Sequence, residues 1–346
     1  MKQYLIVKTS SLGDIIHSFD ILNDLQGAAV DWVVDERFAS IVKAHPLVRT
    51  VFSFDQKHLF RPSFFSLLRK INYDALFDLQ GNCKSGLFTF MSRSKEKIGF
   101  GRKCVREWPN LLATTKRYHV PLSMNIRDCY KKLVCSHLQI APANHPGLRL
   151  LIDEPEKRRI ESILSLKELA SSLRVMVCFN SNWINKQLPA ATALAFLKRV
   201  QSNLRCSFLF VWGTEEEKER CRMLHESFPE CSAVIERLPL PTWQNLMAEV
   251  DLVLAVDSGA LHLCGTTSTP SFSIFGPTSA KVFKPLGEQH GAYQGNCPYH
   301  QAFVKLCPYL RTCPTGACMR SIDPEALFER FSKWHQMSLS KRSKST

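Results

Sequence analysis

Apolar residues fall in short blocks along this chain, and the blocks alternate between two periods. Tyr4 to Val7 is a compact apolar run, broken by the polar, glycine-bearing stretch Ser10 to Asp14, after which Ile15, Ile16, Phe19, Leu22 and Leu25 recur at helical spacing. That is a strand, a glycine loop and a helix. The device repeats: Val30 to Val34 predicts a strand and Glu36 to Ala44 a helix stopped by His45-Pro46. Val51 to Phe54 predicts a third strand, Pro62 to Ile71 a helix with proline in its first turn, and Ala75 to Leu79 a fourth strand running into Gln80-Gly81. Asn125 to Leu138 reads as a further helix.

Ala141 to Gly147 (APANHPG) carries enough proline and glycine for a linker, which puts a domain boundary there. Beyond it the alternation resumes. Asp153 to Leu169 predicts a charged amphipathic helix, Arg174 to Phe179 a strand ending in the polar loop NSNWINKQLP, and Ala190 to Val200 a helix. Strand Cys206 to Trp212, helix Glu215 to Phe228, strand Ala233 to Ile235 and helix Thr242 to Glu249 follow. Leu252 to Val256 is a strand that breaks at Asp257, Ser258 and Gly259 and restarts as a helix; Ser271 to Phe275 is one more strand, and Pro324 to Trp334 the last helix.

Repeated βα units of this size build parallel sheets covered on both faces. The reading is α/β: two Rossmann-like, doubly wound domains facing across a cleft, a GT-B-like architecture. Its boundaries are residues 1–147, 148–322, and 323–346 for the final helix and a basic tail that looks frayed from Ser338 onward. Neither first loop contains G-x-G-x-x-G, which argues against a nicotinamide or flavin dinucleotide enzyme.

Length agrees, since 346 residues exceed one ordinary core and suit two domains of about 150. The N-terminal apolar stretch is too short for a signal peptide, and no run reaches the roughly 20 apolar residues a membrane span requires. A cytoplasmic protein is the expectation. The net charge of +14 changes the picture, because it calls for an anionic partner: nucleic acid, an anionic membrane face or a phosphorylated substrate. Lys84, Arg93, Lys95, Lys97, Arg102, Lys103 and Arg106 read as a lip of loops at the carboxyl ends of strands, where open α/β sheets bind ligands.

Candidate chemistry concentrates in two loops. Gly259 allows close approach of a ligand to the backbone, and the helix start behind it offers unpaired N–H groups and a positive dipole end, suited to a diphosphate. Near the other end, Asp14 follows the glycine loop of the first unit; an aspartate there also fits a helix N-cap. Cys297, Cys307, Cys313 and Cys318 have nine, five and four intervening residues, unlike the paired spacing of structural zinc sites, so they are expected to be reduced thiols with no metal.

Taken in order, VKTSSLGDIIHS from Val7, DLQGNCKSGL from Asp78, IGFGRKCVRE from Ile98, the loop ending in Lys186, WGTEEE from Trp212 and AVDSGALHL from Ala255 resemble glycosyltransferase family 9, the lipopolysaccharide heptosyltransferases, most closely its heptosyltransferase I members. The resemblance spans essentially the whole chain. It implies an inverting enzyme that moves heptose from ADP-heptose onto the Kdo of a lipid A acceptor, with no cofactor required. On it, Asp14 matches the base; Lys186 meets the donor phosphates; and Ser181, Asn182, Glu217, Leu238, Asp257, Ser258, Gly259 and His262 complete the donor side. Lys8, Ser10, Ser11, Gly13, Lys84, Arg102, Lys103 and Arg106 fall to the polyanionic acceptor, consistent with arginine forks binding phosphate and carboxylate. A basic protein with a lipid-borne substrate is expected to sit peripherally on the anionic cytoplasmic face of the inner membrane.

The loop NSNWIN departs from the family where hydroxyl residues usually line the phosphates, and Ser258 stands where threonine is frequent. The acceptor remains open between Kdo and another core sugar such as the first heptose, as for a heptosyltransferase II. A basic nucleic-acid-binding protein is the competing class. It fits poorly, because the chain lacks the interleaved aromatics of single-strand modules, and no nucleic acid partner is expected.

Overall fold

The computed structural model describes residues 1–58, 61–121, 123–142, 147–171 and 173–342. The chain divides into two compact units, Met1–Leu151 and Ile152–Thr346. Of the expected linker, residues 143–146 lie outside the described residues, as do residues 343–346 of the tail.

The first unit holds β1 (Gln3–Val7), β2 (Ala29–Asp35), β3 (Val48–Phe54), β4 (Asn72–Asp78), β5 (Arg93–Phe100) and β6 (Lys116–Tyr118), all parallel, in the order β3-β2-β1-β4-β5-β6. Its helices are α1 (Leu12–Ser18), α2 (Asp20–Asp24), α3 (Ala39–Lys43), α4 (Pro62–Leu68), α5 (Cys83–Met91) and α6 (Ile126–Leu138). On one face, Leu5, Val7, Val33, Phe52 and Leu76 pack against Phe65, Leu68 and Phe88 from α4 and α5. The predicted helix from Ile15 to Leu25 is two helices. The Ser18 hydroxyl donates to the Ile15 carbonyl at 2.7 Å, and the Phe19 amide takes the Ile16 carbonyl instead, which turns the chain.

The stretch read as basic loops corrects further. Lys84 lies in the first turn of α5, and Arg93, Lys95 and Lys97 lie on strand β5, away from the carboxyl ends. Asp74 pairs with Lys95 at 2.7 Å and neutralises that one charge on the sheet surface. Only Arg102, Lys103 and Arg106 occupy the loop leaving β5.

The second unit repeats the plan with β7 (Arg174–Cys178), β8 (Ser207–Phe210), β9 (Ser232–Val234), β10 (Leu252–Val256), β11 (Ser271–Phe275) and β12 (His290–Gln294), ordered β12-β11-β10-β7-β8-β9 and parallel throughout. Its helices are α7 (Glu154–Leu164), α8 (Ala190–Leu204), α9 (Glu215–His225), α10 (Leu240–Met247), α11 (Gly259–Cys264), α12 (Ala280–Phe283), α13 (Ala317–Arg320) and α14 (Pro324–Arg342). The tail from Ser338 is therefore not frayed at its start, because α14 continues through Arg342. Val175, Val177, Phe208, Phe210, Leu254 and Ile274 form the sheet side of the core against Phe196, Leu197 and Phe331. Both sheets reverse strand order once, between β1 and β4 and between β7 and β10. At such a point two loops leave in opposite directions and open a crevice at the carboxyl ends.

Candidate functional site

In the second unit, the crevice between β7 and β10 is built around Asp257, the residue just beyond β10. It is 2% exposed. Its Oδ2 accepts from Lys186 Nζ at 2.7 Å and from the Thr278 hydroxyl at 2.6 Å, while His262 Nε2 stands 3.3 Å from Oδ1. Burial alone pushes an aspartate pKa up; here the His262 hydrogen bond and the Lys186 charge outweigh it and hold the carboxyl well below the usual carboxylate range. Four side chains from three loops are thus locked together, with Lys186 from the loop after β7, Asp257 and His262 from β10 to α11, and Thr278 from the loop after β11.

The loops are held from behind. Asn185 is buried and donates through Nδ2 to the carbonyls of Leu310 and Cys313, both at 3.0 Å. The Cys307 amide donates to Pro277 at 2.7 Å, and the Ser279 amide to Lys305. Residues 305–313 therefore brace the Lys186 loop and the Thr278 loop together. Cys297, Cys307, Cys313 and Cys318 line one small pocket beside Asn185 and Pro277. All four are free thiols, and among the described residues no group of His, Cys, Asp or Glu is arranged to hold a metal ion.

Gly259 opens α11, whose first backbone bond runs from the His262 amide to the Ser258 carbonyl at 3.3 Å. The helix has only 6 residues, so the positive character at its start comes chiefly from the local N–H groups. Ser258 Oγ is buried and takes no hydrogen bond from the described residues. His262 faces Asp257 and not open space. Ser181 is buried and its hydroxyl accepts from the Trp183 amide at 3.4 Å, whereas Asn182 is exposed on the same loop. Glu217 closes a capping box on α9, its Oε2 accepting from the amides of Gly213 at 2.7 Å and Thr214 at 3.3 Å. Leu238 is half-buried in the loop after β9.

The corresponding crevice of the first unit is organised by Asp78, fully buried at the end of β4. It accepts from the amides of Gln80 and Gly81, from the Thr89 hydroxyl and from Asn110 Nδ2. Gly81 sits at φ +68°, a conformation that a side chain would strain. Gln80 Oε1 in turn accepts from the amides of Thr9 and Ser10, both at 3.2 Å, and so anchors the loop that carries Ser10, Ser11 and Gly13.

Asp14 is half-buried and is not the N-cap of α1. Ser11 is the cap, and Asp14 Oδ2 accepts from its amide at 3.3 Å and its hydroxyl at 3.0 Å. Lys8 is 3% exposed, with Nζ 5.2 Å from the Tyr130 ring centroid. Burial first, and the Asp14 charge second, push the Tyr130 hydroxyl well above its ordinary pKa, which places Asp14, Lys8 and Tyr130 in one neighbourhood. Lys84 Nζ lies 5.8 Å from the Phe54 ring centroid, and Arg102, Lys103 and Arg106 are exposed on the neighbouring loop.

Thr278, Asn185, Asp78 and Gln80 were not picked out by sequence reasoning. Thr278 had a signal, as the polar residue of a Gly-Pro-Thr turn leaving a buried strand. Asn185 had only its place beside Lys186.

The model of glycosyltransferase family 9 (heptosyltransferase) matches residues 61–312, more than half of the chain. A lipopolysaccharide heptosyltransferase 1 from Pseudomonas aeruginosa is 27% identical over 327 residues, covering 89% of this chain and 88% of the relative. One from Escherichia coli is 27% identical over 301 residues, covering 82% and 91%. Among solved structures, E. coli heptosyltransferase WaaC with ADP-2-deoxy-2-fluoro heptose is 25% identical, covers 85% of this chain and 93% of its own, and superposes with a TM-score of 0.68. A family 9 glycosyl transferase from Veillonella parvula, 16% identical, reaches 0.77 over 96% of this chain and 97% of its own, a likeness of fold. With two Rossmann-like units in tandem and this match over most of its length, the chain belongs to glycosyltransferase family 9, the heptosyltransferases, and is a glycosyltransferase of the GT-B fold.

Proposed function

We propose that this enzyme transfers heptose from ADP-L-glycero-D-manno-heptose to the Kdo of a lipid A-Kdo acceptor, with inversion, in assembly of the lipopolysaccharide inner core. The observation that carries the reading is the Lys186-Asp257-Thr278-His262 network at the strand-order reversal of the second sheet. Asp257 is itself an anion and is no partner for a diphosphate; its part is to hold Lys186, so that the ammonium meets the donor phosphates without rearrangement. The buried Ser258 hydroxyl and the N–H groups at the start of α11 supply further donors. The likeness to a structure solved with an ADP-heptose analogue supports ADP-heptose as the donor. Ser181, Asn182, Glu217 and Leu238 complete the donor side.

In the reaction the acceptor hydroxyl oxygen attacks the anomeric carbon, the bond from that carbon to the diphosphate oxygen breaks, and Asp14 takes the hydroxyl proton while ADP leaves with the charge that Lys186 stabilises. Ser11 fixes the Asp14 rotamer for this role. Lys8, Ser10, Ser11, Gly13, Lys84, Arg102, Lys103 and Arg106 serve the acceptor's phosphates and carboxylate. No metal enters the scheme, since lysine and backbone donors take the leaving group's charge. Among the described residues no helix is long and apolar enough to cross a membrane, which fits peripheral attachment beside a lipid-borne acceptor.

The test is turnover of ADP-heptose on Kdo-lipid A, followed by mass spectrometry. Asp14→Asn is expected to lose on the order of 10³-fold in kcat with ADP binding unchanged, and full activity in that variant removes Asp14 from the base role. Faster turnover on an acceptor that already carries the first heptose would move the acceptor assignment.

A further inference from the structure

The first unit exposes an apolar surface that neither crevice uses. The 3-10 helix Trp108–Ala113 lies against α5, where Gly86 permits close approach: a Cβ there would stand 3.4 Å from the Asn110 backbone and 3.8 Å from Ala113. Asn110 and Ala113, one 3-10 turn apart, face inward and are buried. Of the remaining positions Pro109 and Leu111 are half-buried, while Trp108 is 69% exposed and Leu112 81% exposed. Phe90, one turn beyond Gly86 and on the same side of α5, is 68% exposed. Three large apolar side chains stripped this bare on two elements that pack together mark an interaction site.

Cations are fastened to the same surface. Lys97 Nζ donates to the Phe90 carbonyl at 2.9 Å and lies 5.8 Å from its ring centroid. Arg117 donates to the Leu111 carbonyl at 2.6 Å and to the Thr114 carbonyl at 3.1 Å. Exposed Arg106, with Arg102 and Lys103 just before it, leads into Trp108. The nearby acids are already engaged: Glu107 accepts from the Cys83 amide, and Glu96 pairs with Lys116 and His137.

We infer that the surface formed by Phe90, Trp108 and Leu112 is a membrane-docking face whose occupant is an anionic lipid bilayer. Tryptophan and leucine enter the headgroup boundary, and Lys97, Arg106 and Arg117 remain at the level of the lipid phosphates. Charge complementarity selects the bilayer, because a +14 chain with a basic fringe around an apolar tip matches an acidic lipid face and repels a second copy of itself. Since Arg102, Lys103 and Arg106 begin this stripe, docking there would present the acceptor loops of the first unit to the lipid surface. The inference rests on the proposed lipid-borne acceptor and assigns the residues that meet the membrane.

The experiment is co-sedimentation of the full chain with phosphatidylcholine vesicles, with and without phosphatidylglycerol, alongside turnover on a detergent-free, water-soluble acceptor fragment. Wild type is expected to bind only the anionic vesicles. The pair Trp108→Ser and Leu112→Ser should need at least about ten-fold more lipid for half-binding, with unchanged melting and unchanged turnover on the soluble fragment. A control pair on the second unit, Val304→Ser and Tyr309→Ser, should bind as wild type. Equal binding by the Trp108 and Leu112 pair, or equal loss in the control, overturns the docking face while leaving membrane attachment standing. Absence of wild-type binding overturns both, and dimerisation that depends on Trp108 and Leu112 overturns the docking face. Turnover on the soluble fragment reports separately on the transferase reading.

Discussion

Asp257 concentrates more consequence than any other single side chain in the second unit. Replacing it with asparagine keeps the shape but removes the anion, leaving Lys186 an enclosed charge without its counter-charge. Loss of one partner from a buried pair costs about 3–5 kcal/mol, so Asp257→Asn should lower both the melting temperature and ADP affinity, and Lys186→Met, which strands the more deeply buried carboxylate, should lower both as well, with the larger loss in affinity. Calorimetric titration with ADP beside thermal melts would separate the two. His45 makes a prediction of a different sort. Its Nδ1 accepts from the Leu47 amide at 3.2 Å and its ring packs edge-on against Phe19, and burial pushes its pKa down to about 3. The unfolded chain therefore takes up the proton first: the contribution to stability is full above the ordinary value near 6.5 and is lost as the pH falls from there toward about 3. Denaturant unfolding should show a loss of about 2 kcal/mol between pH 7 and pH 5, and His45→Asn should flatten that slope.

Among the elements, the loops that carry chemistry are positioned by neighbours distant in sequence. The short turn Ile184–Lys186 is fixed by Asn185 to a segment more than a hundred residues later. Asn185→Ala frees that turn without touching a ligand, so the donor KM should rise roughly ten-fold with acceptor KM nearly unchanged, while loss of its two hydrogen bonds lowers the melting temperature modestly; a parallel rise in both constants would count against the positioning role. Such a tether is invisible to pattern reading, because nothing local to Asn185 points to Leu310. Strands were legible where both faces are buried, most plainly in β1 and β10, since four or five consecutive apolar residues leave little choice. Strand β5 was missed for the converse reason: it lies beside the edge, and Arg93, Ser94, Lys95, Glu96 and Lys97 read as solvent loop because their partners, Asp74 and Lys116, come from elsewhere. The His290–Gln294 strand was hidden by its glycine and polar ends, and α5 by its opening Asn-Cys-Lys-Ser.

For the molecule as a whole, two cores closed by separate sets of apolar residues predict separable responses to ligand. ADP should slow amide exchange in the loops after β7, β10 and β11 and leave the strands of residues 1–151 unaffected; protection spread evenly over both units would contradict a donor site confined to the second. The doubly wound plan could be read from periodicity alone, and the family from motifs in order. The contents of each crevice could not, because they depend on which loops a strand order brings side by side.

That shared strand order has one more implication. Both halves use the same permutation, so the loop after the first strand of one is the counterpart of the loop after the first strand of the other. In one half the helix turn that ends that loop holds Asp14, and in the other the loop carries Lys186. A single scaffold, used twice, carries a carboxylate behind one loop and an ammonium at the end of its counterpart, each tied to anchors of its own unit, Gln80 in the first and Asn185 with Asp257 in the second, so the two loops are not interchangeable.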